Sequence, residues 1–163
     1  MTSPSQSRKD PRRQPSRDPL RLLHLLQAGT GPPPGSGPAR ILVVDDDERF
    51  RQSLIAMLEM VGYCCLAAAG GPEAVRLLEE QAPDLVLLDL LMPGMDGHQV
   101  LDRLRSRDGD VGIIIISVDS RWDSVRRTLR RGADNFIRKP YAPDEVLAAI
   151  ESSLQKRELR RQN

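Results

Sequence analysis

Four short apolar runs in this sequence end in residues able to do chemistry. Asp45-Asp46-Asp47-Glu48 follows the first, Asp89 the next, then Ser117, and Lys139-Pro140 closes the last. Carboxylates held close together repel one another and are costly to desolvate, so they call for a cation. Oxygen donors without His or Cys suit a hard ion. Mg²⁺ fits best, because it accepts a few carboxylates and keeps waters that a phosphate can displace. Taken singly, each position has a plain structural reading. Asp46 or Asp47 can cap a helix, Asp89 can serve a turn, Ser117 says little, and Lys139 can be a solvated charge. The signal lies in their order, since each one ends an apolar run of strand type.

The elements that must position these residues are readable from the apolar periodicity. Ile41–Val44, Leu85–Leu88 and Ile113–Ile116 are continuous apolar runs, as expected for strands buried on both faces. A weaker strand spans Tyr63 to Ala68, and Phe136 and Ile137 mark a brief fifth. Between them lie helical patterns. The first carries Phe50, Leu54, Met57, Leu58 and Val61 and stops at Gly62; the second carries Ala74, Val75, Leu77 and Leu78. The third carries Val100, Leu101 and Leu104. The fourth is polar, marked by Val125 and Leu129, and ends at Gly132. The last carries Val146, Leu147, Ile150 and Leu154. Five strand–helix units with short connections predict an α/β fold with a parallel sheet, helices on both faces and right-handed crossovers. Ligands of such sheets bind beyond the carboxyl ends of the strands, where the residues above converge.

The composition is compatible with this reading. The chain of 163 residues is 39% hydrophobic but only 3% aromatic, so its core must come from Leu, Ile, Val and Ala. The net charge of +1 conceals a basic leader: residues 1–40 hold seven Lys/Arg and two Asp/Glu. Residues 1–39, rich in Pro, Gly and Ser, are expected to be disordered, with a leucine cluster at Leu20–Leu26 as the one apolar patch. Residues 157–163 are expected to extend the last helix, their charges reaching into solvent. Cys64 and Cys65 are adjacent and suit neither a disulfide framework nor a metal clip; free buried thiols are expected. No apolar run reaches the roughly 20 residues of a membrane span, and no clear secretory signal is present, so a cytoplasmic protein is expected. Trp122, at the start of the fourth helix, reads either as a packing residue or as a partner contact.

Ile41-Leu-Val-Val-Asp-Asp46, the stretch from Asp84 to Gly97 (Asp-Leu-Val-Leu-Leu-Asp-Leu-Leu-Met-Pro-Gly-Met-Asp-Gly), Ile113–Ser117 and Gly132-Ala-Asp-Asn-Phe-Ile-Arg-Lys-Pro140 resemble the motifs of two-component response regulator receiver domains. The resemblance covers about residues 40–156 and implies a flavodoxin-like, doubly wound sheet of strand order 2-1-3-4-5 with five helices. It implies that Asp89 accepts a phosphoryl group from a sensor histidine kinase or a histidine phosphotransfer protein. Asp46 and Asp89 would ligate Mg²⁺ directly, Asp45 mostly through water, and the Leu91 backbone carbonyl would add a ligand. Ser117 and Lys139 would each hold a phosphoryl oxygen, the Lys139-Pro140 bond would be cis, and Phe136 would be the aromatic switch partner of Ser117. Asp47 would be a neighbour of the site.

Phosphorylation would then repack the face of the fourth helix, fifth strand and fifth helix for a downstream protein partner, or for a phosphorylation-dependent dimer. Neither an enzyme proper nor a nucleic-acid binder is expected. Val118 departs from the small residue usual after the hydroxyl. It motivates the alternative of a degenerate receiver working as a phosphorylation-independent interaction module. A phosphohydrolase with Asp89 as nucleophile would need a second acid at position 91, where Leu91 stands.

Overall fold

The computed structural model describes residues 37–162; the leader up to residue 36, with its leucine cluster, lies outside the described residues. The strands of the main sheet are β1 (Arg40–Val44), β2 (Cys64–Ala68), β3 (Leu85–Leu88), β4 (Gly112–Ser117) and β5 (Asn135–Arg138). They alternate with α1 (Glu48–Met60), α2 (Gly71–Gln81), α3 (Gly97–Arg107), α4 (Trp122–Arg130) and α5 (Pro143–Gln162). All neighbouring strands of this sheet pair in parallel, in the order β2-β1-β3-β4-β5. This is the doubly wound order expected. A two-residue antiparallel ladder, Leu91–Met92 with Met95–Asp96, tightens the loop after β3 and had no signal in the sequence.

The continuous apolar runs feed two cores, because successive strand side chains point to opposite faces. Ile41, Val43, Leu85, Leu87, Ile114 and Ile116 meet Leu54 and Leu58 of α1 and Val146, Leu147 and Ile150 of α5. Leu42, Val44, Val86, Leu88, Ile113 and Ile115 meet Ala74 and Leu78 of α2 and Val100, Leu101 and Leu104 of α3. Each fully buried Leu, Ile or Val removes apolar surface worth roughly 1.5–3 kcal/mol from water. The central strands β1, β3 and β4 are therefore the rigid part of the molecule, and the residues at their ends inherit that rigidity.

Three elements differ from the expectation. In α4 the buried positions are Ser124 and Thr128; Val125 is half-buried, and Leu129 is 44% exposed. The Thr128 hydroxyl donates to the Val125 carbonyl at 2.8 Å, so the helix seats on small polar side chains that satisfy themselves locally. Trp122 is 72% exposed rather than packed. β2 is an edge strand, which leaves Cys64 exposed and Cys65 half-buried, and burial with nearby Glu59 pushes the Cys65 thiol up to about 12. Finally, the last turns of α5 send charge back to the fold. Arg157 pairs with Asp84 at 3.0 Å, and Arg160 pairs with Asp134 at 3.1 Å. Among the described residues no helix is long and apolar enough to cross a membrane.

Candidate functional site

The carboxyl edge of β1, β3 and β4 is where the acids, hydroxyl and lysine meet. The sheet's hydrogen bonding runs one residue past the strand ends. Asp45 donates its N–H to the Ala68 carbonyl at 3.1 Å, and Asp89 donates to the Val44 carbonyl at 3.0 Å. Both acids are thereby fixed by backbone, and both are buried, with 2% and 6% exposure. The Asp45 carboxylate accepts the Asp47 N–H at 2.9 Å, and that of Asp89 accepts the Leu91 N–H at 3.1 Å. Asp46 is exposed, and Asp47 caps α1 by accepting from the N–H groups of Arg49 and Phe50. Of the two capping candidates, Asp47 is the one the helix uses.

Lys139 reaches into this cluster from the far side of the sheet. Its Nζ lies 2.8 Å from Asp45 Oδ2 and 3.3 Å from Asp89 Oδ2. The Lys139 N–H donates to the Ser117 carbonyl at 2.9 Å, which carries the β4–β5 ladder onward to the lysine. The Lys139-Pro140 bond is cis. Ser117 is fully buried, and its hydroxyl accepts the Asp119 N–H at 3.2 Å. Phe136 is half-buried and packs against the core on the α2–α3 side of the sheet. Val118 and Leu91 both have exposed side chains.

Three neighbours carried no signal in the sequence. The Arg51 guanidinium donates to the Asp45 carbonyl at 2.7 Å. The ammonium of Lys139 sits 3.8 Å from the centroid of the Phe50 ring, a cation–π contact in a sheltered place. Tyr141 meets Phe50 edge to face at 5.7 Å, and burial aided by Asp45 pushes its hydroxyl up to about 12. Phe50 lies on an amphipathic helix where an aromatic reads as core. Only the fold brings it beneath Lys139.

The electrostatics leave the cluster short of positive charge. Asp45 and Asp89 share a single ammonium, and Asp46 adds a further negative charge at the rim. Burial raises the pKa of Asp89 from its ordinary value; the Leu91 N–H and Lys139 oppose the rise, and Asp45 adds to it. One carboxylate oxygen from each of Asp45, Asp46 and Asp89 lies within 4.8 Å of the others. Three hard oxygen donors at that spacing, with no nitrogen or sulfur ligand, fit a small divalent cation of the Mg²⁺ type.

Residues 41–151 match the response regulator receiver domain family. Response regulator MprA of Mycobacterium sp. (strain KMS) is 39% identical over 119 residues, covering 73% of this chain and 52% of that protein. The probable transcriptional regulator ycf27 of Porphyridium aerugineum is 39% identical over 117 residues, covering 72% and 48% respectively. The chain thus matches about half the length of these curated relatives. A solved CheY-like response regulator receiver domain protein from Methanospirillum hungatei JF-1 superposes with a TM-score of 0.73 at 29% identity, over 76% of this chain and 99% of that one.

Proposed function

The chain belongs to the response regulator receiver family of two-component signalling systems, and on that premise we propose that Asp89 is its phospho-acceptor, with phosphorylation dependent on Mg²⁺. The observation that carries this reading is the buried Asp89 carboxylate, held 3.3 Å from the Lys139 ammonium beside a second buried acid. A carboxylate is a weak nucleophile, so the site must act by positioning and by charge neutralisation.

An oxygen of Asp89 attacks the phosphorus of a phosphohistidine or a small acyl phosphate. The bond from phosphorus to the donor breaks, and the donor leaves with its electron pair. Asp46, Asp89 and the Leu91 carbonyl would hold Mg²⁺ directly and Asp45 mostly through water, and the ion when bound would supply positive charge to the transferred oxygens. Lys139 then pairs with a phosphoryl oxygen, and the Ser117 hydroxyl donates to another. Movement of Ser117 vacates space for Phe136, which biases the face of α4, β5 and α5 toward a second arrangement. That face serves a downstream protein partner, or a second copy of the chain on phosphorylation. A sensor histidine kinase or histidine phosphotransfer protein in the cytoplasm is the phosphoryl source. The chain acts as a signalling receiver rather than as an enzyme, with residues 40–156 as the receiver domain. Because all the acidic, hydroxyl and ammonium positions are present together, the phosphorylation-independent module is not the favoured alternative.

The test is labelling by radioactive acetyl phosphate with Mg²⁺. The wild-type chain is expected to take up label, whereas Asp89→Asn takes up none. Persistent labelling of that variant, or undiminished labelling in EDTA, would sink the proposal.

A further inference from the structure

The outward face of α4 carries charge that nothing in the fold uses. The side chains of Arg126, Arg127 and Arg130 make no hydrogen bond or ion pair among the described residues, while Arg131 pairs with Asp102 of α3 at 2.9 Å. With Asp123, these four arginines line a shallow cavity of about 380 Å³. Arg126 and Arg130 stand four residues apart, where like charges weaken a helix, and Arg131 follows as its C-cap. The helix therefore carries repulsion that Asp123, three and four residues before Arg126 and Arg127, offsets only in part, on a seat made only of Ser124 and Thr128.

An apolar ridge runs beside the charge. At 100° per residue, Trp122 and Leu129 share one stripe, and Arg126 and Arg130 form the next one round the helix. Trp122 and Leu129 are 72% and 44% exposed. Trp and Arg are the residue types that dominate binding energy at protein interfaces, and the cations of this face are arginines throughout. We propose that this face of α4 docks an acidic amphipathic segment of a partner protein. Apolar side chains of the segment would cover Trp122 and Leu129, and its carboxylates would pair with Arg126, Arg127 and Arg130.

Charge excludes the chain's own leader, since residues 1–40 carry seven Lys/Arg against two Asp/Glu. A nucleic-acid backbone is the poorer match, because Asp102 and Asp123 sit among the arginines and would face its phosphates. The same two acids help fix register against a mixed protein surface. The inference deepens the signalling reading, since it gives the output face a partner chemistry. The exposed side chains give the unphosphorylated chain a basal affinity, which phosphorylation at Asp89 then biases.

Trp122 is the sole tryptophan, so its emission reports occupancy directly. The full chain is titrated with a synthetic peptide of about two heptads, Leu at i, i+3 and i+4 with Glu between, and separately with polyglutamate and a mixed-sequence DNA duplex. The Glu/Leu peptide is expected to shift Trp122 emission saturably, with affinity that falls as salt is raised. The Arg126→Glu/Arg130→Glu double variant is expected to weaken it tenfold or more, with helix content unchanged by circular dichroism. Affinity within twofold of wild type in that variant would overturn the proposal. Equal binding of polyglutamate, tighter binding of DNA, or self-association of the chain that excludes the peptide would each overturn it too. Acetyl phosphate labelling of the same double variant separates the two readings: label retained with peptide lost leaves the role of Asp89 intact.

Discussion

At the scale of single residues, Lys139 governs the site. Its ammonium is the only cation within ion-pair distance of Asp45 and Asp89 among the described residues, and both acids are buried. Removing one partner from a buried ionic cluster leaves the other charges uncompensated, at about 3–5 kcal/mol. Lys139→Met is therefore expected to lose roughly 3 kcal/mol in urea unfolding with EDTA present. Mg²⁺ should restore more stability to this variant than to the wild type, since the acids then have no other counter-charge. Asp89 sets a pH dependence of defined sign. Its pKa in the fold is raised from 3.8, chiefly by burial, so the folded state holds this proton to a higher pH than the unfolded chain does. Stability therefore declines as pH rises from the unfolded carboxylate range through the raised value. Asp89→Asn removes that decline. In metal-free urea titrations its stability relative to wild type should increase from pH 4 toward neutrality, and a flat difference would contradict the assignment.

At the scale of elements, α3 and α4 contrast. α3 begins where Gly97 lies against the loop that carries Leu91. A Cβ there would stand 2.5 Å from Leu90 Cα and 2.6 Å from its carbonyl oxygen, both backbone atoms. Gly97→Ala must push helix and loop apart, at about 1–3 kcal/mol. Because that loop follows directly on Asp89, the variant should also take up label from acetyl phosphate more slowly than wild type. α4 is held far less firmly, since Ser124 and Thr128 supply no large apolar anchor. Such a helix can shift at small energetic expense, as the proposed output face requires. Its polar seat was not legible from periodicity, because Val125 and Leu129 offered the more obvious inward stripe. Ser124 and Thr128 took the buried positions instead.

At the scale of the whole molecule, the amino edge of the sheet is locked by charge while the carboxyl edge holds the site. Asp134 accepts from the Ile113 N–H, the Ser153 hydroxyl and Arg160, and Asp84 accepts from the Arg40 N–H and pairs with Arg157. Arg105 donates to the carbonyls of Gly109, Val111 and Gly132, which ties the end of α3 to the start of β4 and to the turn after α4. The end of α5 is thus part of the domain's clasp. An Arg157→Ala/Arg160→Ala variant should lose about 1–2 kcal/mol in thermal unfolding, with the difference from wild type narrowing in high salt. An unchanged midpoint would place these turns of α5 outside the cooperative unit.

The five strand–helix units and the residues at the strand ends were legible in the chain's apolar pattern alone. Hydrophobic periodicity is a local property, and in a parallel sheet every strand must deliver its C-terminal residue to the same edge. Asp45, Asp89, Ser117 and Lys139 could therefore be named together before any coordinates. The groups that surround them follow from packing. Phe50 beneath Lys139, Tyr141 beside Phe50 and Arg51 on the Asp45 carbonyl depend on how α1 and the turn after β5 settle against the sheet. That settling also decided that Asp47 caps α1, that Trp122 faces solvent, and that Arg157 and Arg160 turn back to the fold. Packing between elements far apart in sequence leaves no periodic mark in either, and so these contacts could be read only from the folded chain.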